Sequence, residues 1–453
     1  MDDAKAAVRY MLTDFIDNVL PAIREELVLR DLALGKIQQP KIGSTAKVVV
    51  GMRRSGKTFR LYQEIMAVLD SGVSANRVCY FNFDDDRLRP LSATLVSDVL
   101  ECFFEMNPSA RTEGAYLFFD EIQDVPGWDV VVRRILDTEK VAMWVTGSSS
   151  RMLSEDVATE FRGRSISYEL LPYSFREYLR ARGEEPAWGQ SLDSRVLGSS
   201  LKKALRGYLV EGGFPAAQGL DDMERAQLLQ SYAQLTVARD VVERFGFSNA
   251  AFASSLARTA VTSSARDVSI SRLDNKSREA GYSPGRATVT QLIEAFEDAH
   301  LVYQTFEFSY SVQKIRLGGL KLFSADPGLC WAMSIATADG LCFALETAVY
   351  LELRRRRLSG RLGDIAMLKL PSGKEVDFVE GDALVDEVST LVQVCFAMDD
   401  AKTCEREVSA LREAMARFDR EEGLIITFDD ERDIVVPEGT IRVRPAWKWL
   451  LAE

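Results

Sequence analysis

Gly51-Met52-Arg53-Arg54-Ser55-Gly56-Lys57-Thr58 follows the apolar run Val48-Val49-Val50 and opens a segment with Leu61, Ile65, Met66 and Leu69 at helical spacing. Two glycines separated by four residues, then Lys and Thr, between a strand and a helix, form the pattern of a phosphate-binding loop. Gly51 and Gly56 let the backbone curl until successive N–H groups point at phosphate oxygens. The helix that begins there adds its positive end. Lys57 would bridge the outer phosphates and the Thr58 hydroxyl would hold Mg²⁺, with Arg53, Arg54 and Ser55 completing the loop. A chance glycine-rich turn is the competing reading, and it weakens once a partner motif is found.

That partner is Ala115-Tyr116-Leu117-Phe118-Phe119-Asp120-Glu121, an apolar strand ending in two carboxylates. Asp120 is the expected Mg²⁺ residue, acting through water at the strand's carboxyl end. Glu121 is the expected base that orients and deprotonates an attacking water. A third strand, Val141–Thr146, runs into Gly147-Ser148-Ser149-Ser150. Ser148 or Ser149 is the candidate for sensing the terminal phosphate, and a serine that merely caps the turn is the equal alternative. Next comes Glu160-Phe161-Arg162-Gly163-Arg164. Arg164, and after it Arg162, is the candidate for neutralising transition-state charge on a neighbouring subunit's nucleotide. Surface salt bridging is the bland reading of both.

The elements that must position these groups alternate between strand and helix, which implies an α/β fold with a parallel, doubly wound sheet. Residues 1–45 read as a helical segment, spanning about 3–36 with a break at Pro21. The ATPase-like core spans 46–182, and a helical lid 183–255 includes the turn Gly212-Gly213-Phe214-Pro215. Residues 256–330 have the rhythm of a winged helix: one helix over about 269–279, a glycine turn at 281–285, a second helix from Arg286, then strands near 301–308 and 315–323. Basic residues Arg258, Arg266, Arg272, Lys276, Arg278 and Arg286 outnumber the acids there, although the second helix ends in Glu294, Glu297 and Asp298.

Residues 331–453 carry a helix with Glu346, a strand with Glu375 and Asp377, and a strand with Gln393 and Cys395. Period two puts Asp377 on the face of Glu375, and Gln393 on the face of Cys395. A helix acid, a strand acid and a polar pair on a third strand form the layout of a PD-(D/E)XK nuclease, in which carboxylates hold Mg²⁺ and a lysine positions the nucleophile. Here a thiol stands where the lysine belongs and a neutral amide where a second acid belongs. Lys374 could substitute from the adjacent strand, but the expectation is an inactive, nuclease-like fold used for binding.

The chain has 453 residues, a net charge of −12 and a pI of about 5.0, enough for several cores and too acidic for indiscriminate nucleic-acid binding. Six cysteines without a C-x-x-C pair suggest a reduced, cytoplasmic protein without zinc. No apolar stretch suggests a membrane span, and the single histidine, His300, reads as structural.

GMRRSGKT, LFFDEIQ, TGSSS, FRGR, LLPYSFREYL, GGFP, ARD, KLFSADPGL, LETAVYLEL, KEVDF and LVQVC, taken together over nearly the whole length, resemble bacterial and archaeal AAA-type ATPases of the archaeal-ATPase, STAND-related branch. In that group the C-terminal half is a domain of unknown function ending in a PD-(D/E)XK-like fold. The resemblance implies an AAA+ core that binds ATP with Mg²⁺ and hydrolyses it, a winged-helix segment and a nuclease-like tail. The leading expectation is a homo-oligomeric, ring-forming motor or switch that acts on duplex or branched DNA. The alternatives are a signalling switch whose C-terminal half binds a protein partner, and an active metal-dependent nuclease.

Overall fold

The computed structural model describes residues 2–148, 163–309, 319–334, 340–358, 364–383 and 387–452. The chain forms two compact units, Met1–Leu170 and Leu171–Glu453.

The first unit is built on five parallel strands: β1 (Ala46–Val50), β2 (Val78–Asn82), β3 (Ala115–Asp120), β4 (Val141–Gly147) and β5 (Ser165–Glu169), in the order β2-β3-β4-β1-β5. β1, β3 and β4 are buried along their whole length, which explains their unbroken apolar character. Strand β4 is inserted between β1 and β3, so the phosphate loop and the carboxylate pair sit on strands two apart. Pairings of Val50 with Gly147 and of Asn82 with Asp120 align the carboxyl ends along one edge. Helices Lys57–Asp70, Leu95–Met106 and Trp128–Thr138 connect the strands. Alternate side chains fill two cores: Val48, Val50, Leu117 and Phe119 on one face, and Val49, Tyr116, Phe118 and Trp144 on the other.

The expected helix over 3–36 is shorter. It runs Asp2–Asp14, passes through a wide turn at Phe15–Val19, and ends with Leu20–Arg24, where Pro21 occupies the first turn that tolerates it. Beyond Arg24 the chain is an extended strap in which Arg30 and Leu34 are buried and Gly35 has φ +69°. Side chains of the sheet and its helix hold the strap's carbonyls: Arg60 Nε donates to Leu32 at 3.0 Å, Lys47 Nζ to Lys36 at 2.7 Å and the Tyr168 hydroxyl to Leu34 at 3.3 Å. These partners favour extension over helix.

The second unit begins with helices Phe175–Ala181, Arg195–Glu211, Asp222–Thr236 and Ala250–Thr262. Ser174 and Glu177 cap the first of these reciprocally. A helix pair, Ile270–Glu279 and Arg286–Asp298, follows, with a three-stranded antiparallel sheet of β6 (Arg266–Val268), β7 (Val302–Phe306) and β8 (Leu320–Ser324) in the order β6-β8-β7. Residues 310–318 of the β7–β8 connection lie outside the described residues.

A six-stranded sheet completes the unit: β9 (Asp364–Lys369), β10 (Glu375–Asp382), β11 (Glu387–Val394), β12 (Glu422–Thr427), β13 (Arg432–Val436) and β14 (Gly439–Pro445), ordered β13-β14-β12-β11-β10-β9. Helices Gly340–Leu358 and Ala401–Phe418 belong to the same region. Two motifs meet at Asp326. One carboxylate oxygen caps helix Pro327–Met333 at Leu329 N (3.0 Å), and the other accepts from Gly213 N (2.6 Å) in the Gly-Gly-Phe-Pro turn. A Cβ on Gly212 would collide with that carboxylate, so glycine is required there.

Candidate nucleotide site and a second ionic cluster

The loop after β1 has the backbone of a phosphate cradle. Gly51 has φ +154°, Arg54 +69° and Gly56 +100°. A Cβ on Gly51 would run into the Leu170 carbonyl, so no other residue fits. Helix Lys57–Asp70 starts directly at the lysine. The Ser55 hydroxyl is buried with no hydrogen-bond partner among the described residues, an orphan donor of the kind that a bound anion would satisfy. From behind, the buried Arg30 donates to the Ser55 carbonyl at 2.8 Å.

Lys57 is 3% exposed, and its ammonium contacts the carbonyls of Gly51 (3.1 Å) and Met52 (3.3 Å) and Glu121 Oε1 (3.2 Å). Thr58 donates to Asp120 Oδ2 at 2.7 Å. Asp120 is fully buried and also accepts from the Tyr80 hydroxyl at 3.0 Å and from the Thr146 hydroxyl. Burial, then the charge of Glu121, pushes its pKa up, against the three hydroxyl donors. Glu121 behaves in the opposite way. Burial raises it, but the Lys57 ammonium and the Gln123 amide more than reverse this and hold it below the usual carboxylate range. Arg53 also acts electrostatically on Glu121, while Arg54 is exposed.

Ser148 is buried just past β4, and Ser149 lies outside the described residues. Thr146, two residues before Ser148, is the hydroxyl that joins Asp120 to the backbone N–H of Glu121 (2.9 Å). Sequence reasoning passed over Thr146, Tyr80, Gln123 and Arg30. Thr146 and Gln123 lie within the quoted motifs, but nothing in their spacing marks them. Arg164 sits just before β5, at the sheet's amino edge, with its carbonyl bonded to Ala46 N and its guanidinium paired with Asp137. That is the edge opposite its own phosphate loop, so it cannot serve its own nucleotide. Arg162 lies outside the described residues.

In the second unit Glu346, Asp377 and Gln393 do come together, around a residue the sequence did not suggest. Lys321, on β8 and 6% exposed, places its ammonium 3.1 Å from Glu346, 3.0 Å from Glu375 and 3.3 Å from Asp377. Asp377 Oδ2 accepts from Val394 N at 2.9 Å, and Gln393 Oε1 accepts from Asp377 N at 3.2 Å. Gln393 Nε2 donates to Glu407 at 2.6 Å, and Glu407 pairs with Arg406. Burial, then the Asp377 charge, pushes Glu346 up to about 8 despite Lys321. Cys395 points away, its thiol donating to the Ala397 carbonyl at 3.0 Å, and burial pushes it up to about 11. Lys374 is not the substitute lysine: it is half-exposed and lies 4.0 Å from Glu413. Among the described residues no group of three or more His, Cys, Asp or Glu is arranged to hold a metal ion.

A phosphate loop after β1, a carboxylate pair after β3 and an intervening β4 define a P-loop ATPase of the AAA type. The model of the AAA domain family matches residues 43–179, and that of a domain of unknown function, DUF8612, matches residues 202–339. The chain is 31% identical over 443 residues to the uncharacterized protein MJ1544 of Methanocaldococcus jannaschii, covering 96% of this chain and 94% of that one, and it belongs to the same family. An uncharacterized protein of Haemophilus influenzae is 26% identical, over 83% of this chain and 88% of its own. Among solved structures, the Walker-type ATPase PABY2304 of Pyrococcus abyssi matches with a TM-score of 0.41 at 12% identity, covering 64% of this chain and 91% of its own. Aeropyrum pernix ORC1 in complex with DNA matches at 0.29 and 17% identity, over 72% and 96%. Both likenesses are weak, and the fold rests on the strand order and the loop. No described helix is long and apolar enough to cross a membrane.

Proposed function

We propose that this ATPase is a switch or motor whose second unit binds DNA without cutting it. The observation that carries the catalytic half is the meeting of Lys57, Thr58, Asp120 and Glu121 at one edge of the sheet. In this reading the loop N–H groups and Lys57 bind the phosphates, Thr58 and Asp120 hold Mg²⁺, and Glu121 accepts the proton of the attacking water. When bound, the metal would supply charge neutralisation for the outer phosphates. Ser148 remains the candidate that reads the terminal phosphate. Arg164, remote from its own loop, is suited to act on a neighbour's nucleotide in a homo-oligomer. Lys57→Ala should abolish turnover, and Glu121→Gln should retain bound ATP; an active Lys57→Ala protein would refute the assignment.

The DNA half rests on the helix pair Ile270–Glu279 and Arg286–Asp298, where Arg272, Lys276 and Arg286 are all exposed. Of the acids that counted against it, Glu297 is turned inward and accepts from the backbone N–H and side chain of Gln304 at 3.0 and 2.7 Å. That leaves the amino end of the second helix as the basic end. Within the run Arg354–Arg357, Arg355 donates to the Pro172 and Tyr173 carbonyls, Arg356 to that of Trp449, and Arg357 pairs with Asp364, so Arg355 and Arg356 are engaged within the protein.

Binding rather than cleavage is favoured because each hydrogen-bonded oxygen of Asp377 and Gln393 is already taken by an N–H or ammonium of the protein. ATP turnover with and without single-stranded, duplex and branched DNA at low salt tests the reading, with Mg²⁺- or Mn²⁺-dependent cleavage as the second readout. Turnover unchanged by every DNA, with a protein co-purifying, would select the signalling alternative. Asp377-dependent cleavage would select the nuclease.

A further inference from the structure

Glu121 is held at more points than a free base needs. Its backbone is in the left-handed region at φ +51°, where it turns the chain sharply into the short turn Ile122–Asp124. Ile122 and Val125, both buried, pin that turn to the core. The fold-back brings the side chain of residue 123 beside that of residue 121. Gln123 Nε2 donates to Glu121 Oε2 at 2.8 Å, while Oε1 faces Lys57 Nζ at 3.2 Å. The other end of the amide, Gln123 Oε1, is buried with no hydrogen-bond partner among the described residues.

We infer that Gln123 is a positioning residue for ATP hydrolysis: its amide holds Oε2 of Glu121 so that Oε1 is the oxygen presented to water. The inference rests on reading Glu121 as the base. A carboxylate attached only through its own torsions rotates, and either oxygen can face the reaction. One N–H bond to Oε2 fixes the plane. The Lys57 contact on Oε1 has to yield when that ammonium takes up phosphate, whereas the Gln123 contact involves no group that phosphate recruits. Oε1 then becomes the free acceptor with its direction already set. The unfilled Oε1 of Gln123 is a second acceptor beside the base, and a buried acceptor of this kind is ordinarily satisfied by ordered water. An amide suits the position because it donates without adding charge. A carboxylate there would repel Glu121 and favour its protonation.

The test compares Gln123→Ala, Gln123→Glu, Glu121→Gln and the double variant Glu121→Gln with Gln123→Ala. Each is measured for kcat and KM with ATP across pH, with ATP affinity and thermal unfolding as controls. Gln123→Ala should lower kcat about tenfold, a part of what a positioned base contributes, with KM within about twofold. Gln123→Glu should move the acidic limb of the kcat profile upward. Adding Gln123→Ala to Glu121→Gln should cost nothing further, because the residue acts through Glu121. If Glu121→Gln turns over normally, the base assignment falls and the inference with it. If Glu121→Gln is inactive while Gln123→Ala keeps wild-type kcat and pH profile, only the inference falls. A Gln123→Ala loss that persists in the Glu121→Gln background, or that tracks lowered thermal stability, assigns a structural role and overturns it.

Discussion

Asp120 accepts hydroxyls from Thr58, Tyr80 and Thr146 while excluded from water. These three hydroxyl donors oppose the upward push that burial gives its pKa. The same Thr146 oxygen accepts from Glu121 N, so one hydroxyl fixes both the Asp120 carboxylate and the backbone of Glu121. Thr146→Val keeps the volume and removes both bonds. The expected outcome is a loss of about 1–3 kcal/mol for the groups left unsatisfied, read by denaturant unfolding. Turnover should fall with little change in ATP affinity. Tyr80→Phe, which leaves Asp120 two hydroxyl donors, should be milder in both measurements. The Asp-Glu pair is legible because it ends an apolar run. Thr58 is legible from its place in the loop motif, but Tyr80 and Thr146 are not, because they lie on two other strands and threonine or tyrosine in a strand is ordinary.

Strands and straps decide which distant residues meet. Central β8 of the small sheet carries Lys321 into a cluster whose acids come from helix Gly340–Leu358 and β10. One ammonium has three N–H groups, and three carboxylates lie within reach of it. Lys321→Met leaves these buried acids without their cation, and should destabilise the second unit by about 3–5 kcal/mol. The unfolding transition of the whole chain reads that loss. The pH dependence has a definite sign. Glu346 is raised to about 8 in the folded protein, so the folded state binds a proton that the unfolded chain has already released at neutral pH. The associated stability is present in acid and is lost as pH rises through about 8. The melting temperature should therefore fall between pH 7 and pH 9, in the direction set by that group. In the first unit the strap touches the phosphate loop through Arg30. Arg30→Ala should lower thermal stability and raise the KM for ATP more than it lowers kcat, measured in the same steady-state titration.

On the scale of the molecule, the acidity and the site geometry constrain assembly. Arg164 stands at the amino edge of its own sheet and the phosphate loop at the carboxyl edge. If Arg164 serves a nucleotide, that nucleotide belongs to another copy, so turnover per chain should rise with protein concentration in step with native mass. Mixing Arg164→Ala chains with Lys57→Ala chains should restore part of the activity that each lacks alone; no recovery at any ratio argues against a shared site. With a net charge of −12, any DNA contact must be local and salt-sensitive.

The sequence by itself determined the phosphate loop, the carboxylate pair and the parallel alternation of the first unit, because each is written in consecutive residues with one period or one fixed spacing. It also located Glu346, Asp377 and Gln393. Tertiary structure alone decided what surrounds them. Cys395 occupies the sequence position where the nuclease pattern carries a lysine, yet the lysine that reaches the cluster is Lys321, far away in the chain. The initial helix stops at Arg24, and Arg60, Lys47 and Tyr168 hold the Leu32, Lys36 and Leu34 carbonyls of the segment that follows. Charge compensation and hydrogen-bond satisfaction operate over a few ångströms of space and are indifferent to separation along the chain. For that reason Lys321, Thr146 and Gln123 acquire their roles only when the strands are side by side.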